Sequence, residues 1–449
     1  MVFSAVFDIE SLNGKNGFVI SDSQMIPTWA GDVNADGLKD MILGSGYRSD
    51  DDKTGGSINI LYGNLKFNQT VIPSSSSIYG FAVEFSPLPS EMNDDQCSNC
   101  NPSIDDYNAY GSVIGVGDIN GDKIEDLVAY QDETNGVKES SNSFASSVSY
   151  ALYGKQEEFP QTIYLDMLNG TGGFVYNQNL NWRFGNTCSS YKLGDVNGDD
   201  IGDIMIECLP CPHPIYNNDI PIMVAYGSLS SNSTNFNNGV TLGFGYNGFS
   251  GIGDINGDGI DDFMISGYDQ LYVVFGCRNF NSSFDESTLN GKNGFTINTT
   301  INFNIASDLG DVNADGINYF MLGNYYCNNT YIIFGNQNGF SQYFDINSLN
   351  GQNGFVISAS GAIDWLGDIN NDGINDIIVA TNVIYGSKYE FRSPFNVSNL
   401  NGQNGFRIFN AEGASVSGLG DVNGDKIDDF AIDNYVIFGQ GSALFEENV

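Results

Sequence analysis

The residues of greatest chemical potential in this 449-residue sequence are aspartates and asparagines at alternate positions. Seven segments read Gly-Asp-x-Asn-x-Asp, and six of them close with a further Asp four residues on. Counted from the first Asp, positions 1, 3, 5 and 9 are Asp32, Asn34, Asp36 and Asp40 in the first loop and Asp118, Asn120, Asp122 and Asp126 in the second. The third has Asp195, Asn197, Asp199 and Asp203, and the fourth Asp254, Asn256, Asp258 and Asp262. The fifth has Asp311, Asn313 and Asp315 with Tyr319 at position 9. The sixth has Asp368, Asn370, Asp372 and Asp376, and the seventh Asp421, Asn423, Asp425 and Asp429. Alternating side-chain oxygens closed by one more carboxylate form the ligand set of a hard cation that takes roughly six to eight oxygens. Calcium suits this set better than magnesium, which keeps its waters.

An EF-hand would place a bidentate Glu at position 12 and then a helix. Here position 12 is Leu43, Ala129, Ile206, Ile265, Leu322, Val379 or Ile432, so each loop runs into an apolar strand. Up to seven calcium sites are expected. The fifth should be weakest, because Tyr319 removes its closing carboxylate. A tight turn explains Gly at position 6 in four loops, whereas Lys123, Asp200 and Lys426 stand there in the second, third and seventh. The first, fourth and sixth loops are therefore expected to bind tightest.

The elements that position these loops repeat with them. An aromatic-Gly pair ends an apolar run after every loop, at Tyr62, Tyr153, Tyr226, Phe275, Phe334, Tyr385 and Phe438. A third element, Leu-Asn-Gly-x-x-Gly-Phe, starts at Leu12, Leu168, Leu289, Leu349 and Leu400. The runs between are short, β-branched and bounded by Gly, Asn, Asp and Ser, which predicts strands. Seven small antiparallel sheets that cannot bury their own faces pack radially. The expected fold is all-β: one seven-bladed propeller over 1–449, of four-stranded antiparallel blades, with approximate repeats at 7–69, 70–159, 160–233, 234–283, 284–342, 343–393 and 394–449. The third element precedes the first loop, so the segment from Phe7 to Ile20 should supply the outer strand of the last blade and close the ring.

These motifs resemble the FG-GAP repeats of the integrin α-chain propeller and its bacterial and protist relatives. The resemblance covers nearly the whole chain. It implies a seven-bladed propeller with calcium between the first and second strand of a blade, and an extracellular role in adhesion or glycan recognition. The sequence departs from an integrin α subunit in carrying no stalk, membrane span or cytoplasmic tail after the seventh blade, so ligand binding shared with a partner subunit is not implied.

Charge narrows the partners. With 55 Asp plus Glu against 16 Lys plus Arg, the net charge is −39, which excludes a protein that binds nucleic-acid phosphates. No apolar run is long enough to span a membrane. Met1 to Glu10 does not read as a secretory signal. The spacing from first loop Asp to aromatic-Gly pair is longest in units one to three, so insertions at 47–56, 131–147 and 209–221, with the link 86–110, should gather on the face opposite the loops. Loops on a rigid scaffold are where recognition is usually placed, so a protein or glycan partner is expected there.

Cys97 and Cys100, and Cys208 and Cys211, fall in those insertions, with Cys188 expected across a hairpin from Cys208. Disulfides are favoured over zinc at these residues and His213, and Cys277 is the candidate free thiol. Seven N-glycosylation sequons, at Asn68, Asn169, Asn232, Asn281, Asn298, Asn328 and Asn396, match the number that chance gives, so they say nothing of secretion. A lectin with pockets between blades would want a repeated aromatic platform, yet only Trp29 and Trp365 share a register. A polysaccharide-cleaving enzyme is the remaining alternative, but the single His supports no Ser-His-Asp or Cys-His set. The leading expectation is a non-enzymatic, calcium-binding recognition module, outside the cell or at its surface.

Overall fold

A computed structural model describes residues 3–23, 25–44, 57–73, 80–85, 111–133, 146–165, 168, 172–176, 186–210, 222–229, 239–243, 248–267, 270–280, 283–299, 301, 303, 305–323 and 328–441. The chain forms a seven-bladed β-propeller. Its strands fall into seven sheets, and in six of them the four main strands follow chain order from the inside outwards. Blade 1 runs Pro27–Gly31, Asp40–Leu43, Ser57–Leu61 and Gly80–Glu84, all antiparallel. The inner strands of the seven blades are Pro27–Gly31, Gly111–Gly117, Asn186–Gly194, Gly248–Gly253, Ile305–Gly310, Ile363–Gly367 and Val416–Gly420. Each touches the next, and the last touches the first, so they enclose an axis.

The N terminus closes the ring as expected. Gly17–Ile20 pairs antiparallel with Tyr435–Ile437 and becomes the fourth strand of blade 7. One feature departs from four-stranded blades. Blades 1, 4, 6 and 7 carry a fifth, parallel strand at the outer edge: Thr162–Tyr164, Tyr343–Asp345, Val6–Asp8 and Thr70–Val71. Three come from the connection between the third and fourth strands of the following blade, and Val6–Asp8 precedes the fourth strand of blade 7 in the N-terminal segment. Each covers an edge that would otherwise present unpaired backbone groups, and it ties neighbours together.

The core lies between blades. One cluster joins Ile252, Met264 and Val273 of blade 4 to Phe320, Leu322 and Ile333 of blade 5. The Phe of the third element is fully buried in Phe18, Phe295, Phe355 and Phe406, each contributing about 1.5–3 kcal/mol of apolar burial. Each stacks on a second ring, Phe67, Phe340, Phe391 and Phe3 respectively, at centroid distances of 4.4, 4.3, 4.4 and 4.2 Å. The third element is thus the outer strand's anchor. No helix among the described residues is long and apolar enough to cross a membrane.

Candidate metal loops

Every acidic loop connects the first strand of a blade to the second. In all seven, the position 1 carboxylate folds back over its own loop and accepts the N–H groups of positions 5 and 6, as Asp32 does from Asp36 at 3.0 Å and Gly37 at 2.9 Å. The position 5 carboxylate accepts the N–H of position 7, for example Leu38 on Asp36 at 2.9 Å. The sequence places side-chain oxygens at alternate positions, and these bonds fix the curl of the loop that carries them.

Two residues per loop are left-handed. Position 6 has positive φ throughout, at Gly37, Lys123, Asp200, Gly259, Gly316, Gly373 and Lys426. So does position 4, at Ala35, Gly121, Gly198, Gly257, Ala314, Asn371 and Gly424. A side chain in that region costs about 1–2 kcal/mol. No loop carries it twice: where position 6 is Lys or Asp, position 4 is Gly, and where position 4 is Ala or Asn, position 6 is Gly. The fourth loop alone has Gly at both. The expected advantage of the first and sixth loops over the second, third and seventh therefore loses its steric basis, because each of these five holds one strained residue.

Position 9 does more than close a ligand ring. Asp40, Asp126, Asp203, Asp262, Asp376 and Asp429 are all fully buried. In each, one oxygen accepts the position 2 N–H of its own loop and the other accepts the Gly N–H of the aromatic-Gly pair. Asp376 takes Ile369 N–H at 3.1 Å and Gly386 N–H at 2.9 Å, and Asp429 takes Val422 N–H at 3.0 Å and Gly439 N–H at 2.8 Å. The two commonest motifs of the sequence thus meet in one hydrogen bond. The Gly is needed because the apolar position 7 side chain lies on it: a Cβ on Gly63 would stand 2.6 Å from Leu38 Cβ and from Lys39 O.

Burial pushes the position 9 carboxyls upward, and the position 1 and 5 carboxylates add to the effect against the opposing backbone bonds. Asp40, Asp126 and Asp203 reach about 8, and Asp262, Asp376 and Asp429 stand well above the ordinary carboxylate range. A cation among these oxygens would remove that penalty. The all-oxygen donor set fits calcium: each carboxylate keeps lone pairs beyond those the backbone uses, and the position 3 amide lies beside the buried Asp. Asn120, Asn197, Asn256, Asn370 and Asn423 all donate Nδ2 to it, at 3.2–3.4 Å. Among the described residues, no three His, Cys, Asp or Glu side chains converge into a ready-made metal cluster. An amide flip at position 3 would turn Oδ1 inward as a ligand.

The fifth loop solves the same problem with a phenol. Tyr319 is buried, its hydroxyl donates to Asp315 Oδ2 at 2.8 Å, and its ring stacks on Phe334 at 4.3 Å. The space of the missing carboxylate is filled and the Asp315 charge is partly satisfied.

The loops also fasten blade to blade. The residue after each aromatic-Gly pair donates its N–H to the position 2 carbonyl of the preceding blade in all seven cases, as Lys155 does to Val33 and Gln440 to Ile369, at 2.9 and 2.8 Å. In six cases the position 8 N–H donates to the preceding position 1 carbonyl, as Asp261 does to Asp195 at 3.0 Å. Position 8 side chains join in: Glu125 accepts the Asp32 N–H, Asp261 the Asp195 N–H at 2.9 Å and Asp428 the Asp368 N–H at 2.8 Å. Lys39, also at position 8, pairs with Glu125 at 2.8 Å. Sequence reading missed this belt because position 8 varies in type.

Nearer the axis, Trp29 carries the Lys192 ammonium 4.0 Å from its ring centroid, and Gly115 leaves room for the indole. That ring face is occupied. Trp365 packs against the core between blades 5 and 6. Asp364 accepts Ser307 Oγ at 2.9 Å from blade 5 and Gly418 N–H at 3.2 Å from blade 7. Cys188 and Cys208 are direct cross-strand partners, and Cys277 is a free, half-buried thiol. Cys97, Cys100, Cys211, Cys327, His213, residues 47–56 and 86–110, and the central parts of the other two insertions lie outside the described residues.

No family model matches the sequence, and no curated protein matches it. Among solved structures, the chain is similar to one described as "Crystal structure of BBS1N in complex with ARL6DN, soaked with lead", at 10% identity and a TM-score of 0.42, over 94% of this chain and 93% of that one.

Proposed function

We propose that this chain is a calcium-binding propeller of the FG-GAP type that acts as an extracellular recognition or adhesion module. The observation that carries the reading is the recurrence, in one register and six times over, of a fully buried Asp beside an oxygen-rich loop. Burying a carboxylate next to two others is unfavourable unless a cation or proton joins them. Six repetitions of one unfavourable arrangement argue for a ligand that offsets it. Calcium would supply charge neutralisation and rigidity there; positions 1, 3, 5 and 9 would hold it.

The partner surface is assigned to the face opposite the loops, in blades 1 to 3. The second and third strands of blade 2, Asp126–Glu133 and Ser146–Leu152, run far past the register of blade 6, where Asp376–Val379 and Asn382–Ile384 turn tightly. Residues 134–145, which join these two strands, lie outside the described residues. The test is a glycan array and a cell-surface pull-down, each with calcium and with EGTA, on the intact chain and on a variant lacking residues 134–145. Binding that is lost in both the EGTA and deletion arms supports the reading; binding that survives both contradicts it.

A further inference from the structure

The chain path is interrupted inside blade 7. Its three inner strands come from residues 416–437, whereas its fourth comes from Gly17–Ile20. Besides the pairing of Gly17–Ile20 with Tyr435–Ile437, two sets of bonds close this seam. At the outer radius, Ile20 N–H donates to Asn434 O at 2.9 Å, and Asn434 Nδ2 donates to Ile20 O at 2.7 Å. At the inner radius the seventh loop is fastened to blade 1: Lys39 N–H donates to Asp421 O and Asn64 N–H to Val422 O, both at 2.9 Å. Loops 2 to 6 make the same two bonds to the next blade along the chain, and loop 1 makes the position 2 bond, from Lys155 N–H to Val33 O. Those of loop 7 reach back to residues almost four hundred positions away, so chain continuity does little to hold them.

We infer that the seventh loop is the clasp of the ring: calcium held by Asp421, Asn423, Asp425 and Asp429 fixes the two carbonyls that blade 1 engages, and occupancy of this loop governs opening of the seam. The carbonyls belong to positions 1 and 2, and position 1 is itself a proposed ligand. Leu65 of blade 1 lies against Gly424 on the same loop, where a Cβ would stand 2.5 Å from it, so a loosened loop loses that contact too. In the other loops a released fastener leaves its two blades joined by the intervening peptide. At the seam no peptide joins the two sides; what remains is the pairing of Gly17–Ile20 with Tyr435–Ile437 and of Val6–Asp8 with blade 6, and the apolar packing of Phe18 and Ile20. The inference rests on the calcium reading above.

Hydrogen-exchange mass spectrometry on the full chain in calcium tests it, with wild type, Asp425→Asn and Asp258→Asn, the last being the same position in the fourth loop. Asp425→Asn is expected to speed exchange in Gly17–Ile20 and Tyr435–Ile437 at least tenfold, while Asp258→Asn leaves both segments within threefold of wild type. EGTA should bring wild type to the Asp425→Asn rate. Bound calcium is measured on the same samples. A variant that loses one calcium yet keeps full seam protection overturns the clasp and leaves the calcium reading standing, as does equal opening by Asp258→Asn. A wild-type chain that binds no calcium overturns both.

Discussion

Asp40 holds the Gly63 N–H at 2.9 Å on one oxygen while its other oxygen holds the Val33 N–H at the same distance, so one buried carboxylate joins the start of the acidic loop to the end of the third strand. The relationship recurs in six blades. It makes position 9 a latch whether or not a metal is present.

The latch predicts a cost that EGTA does not remove. Asp376→Ala leaves the Ile369 and Gly386 N–H groups buried without acceptors, at about 1–3 kcal/mol each, less what is regained by no longer burying a carboxyl. Urea unfolding in EGTA should show a net loss of about 2–4 kcal/mol. A change below about 0.5 kcal/mol would mean that the latch contributes nothing.

Left-handed strain at position 6 predicts a gain. Lys123 has φ 69°. Lys123→Gly relieves roughly 1 kcal/mol of strain, partly offset by the greater entropy of the unfolded chain. Urea unfolding in EGTA should show Lys123→Gly gaining up to about 1 kcal/mol. Gly259→Ala in the unstrained fourth loop should lose about 1–2 kcal/mol, and the opposite ordering would show that this strain does not set stability.

Two carboxyls away from the proposed ligands set a pH dependence. Burial pushes Asp308 up to about 6 and Asp364 up to about 7, with Asp308 adding to the shift of Asp364. Asp261 faces Asp308 as a like charge, and Lys192 opposes it. Because the folded chain holds these protons more tightly than the unfolded chain, their stabilisation is complete below about pH 4 and is lost as pH rises towards 7. Stability curves in EGTA between pH 4.5 and 7.5 should therefore fall less steeply for Asp364→Asn than for wild type. Parallel curves would place the titration elsewhere.

The fold was legible because its unit repeats: seven loops, seven aromatic-Gly pairs and short β-branched runs leave few alternatives to a closed ring of small sheets. The N-terminal closure followed from the order of the motifs alone. The fifth strands escaped notice because each is only two or three residues long. At the loops, ligand types and spacing were readable, but the second left-handed position was not, since Ala35 and Ala314 do not mark such a turn as Gly does. The double acceptor role of position 9 was hidden for another reason. Its partners are backbone N–H groups, which no side-chain pattern records.

Calcium occupancy of the loops is read by equilibrium dialysis with elemental analysis of the intact chain, paired with melting curves in calcium and in EGTA. About six tightly bound calcium ions per chain are expected, from the six loops that carry the position 9 Asp, with a melting temperature that falls on chelation. A chain that retains no calcium and melts at the same temperature in EGTA would contradict it.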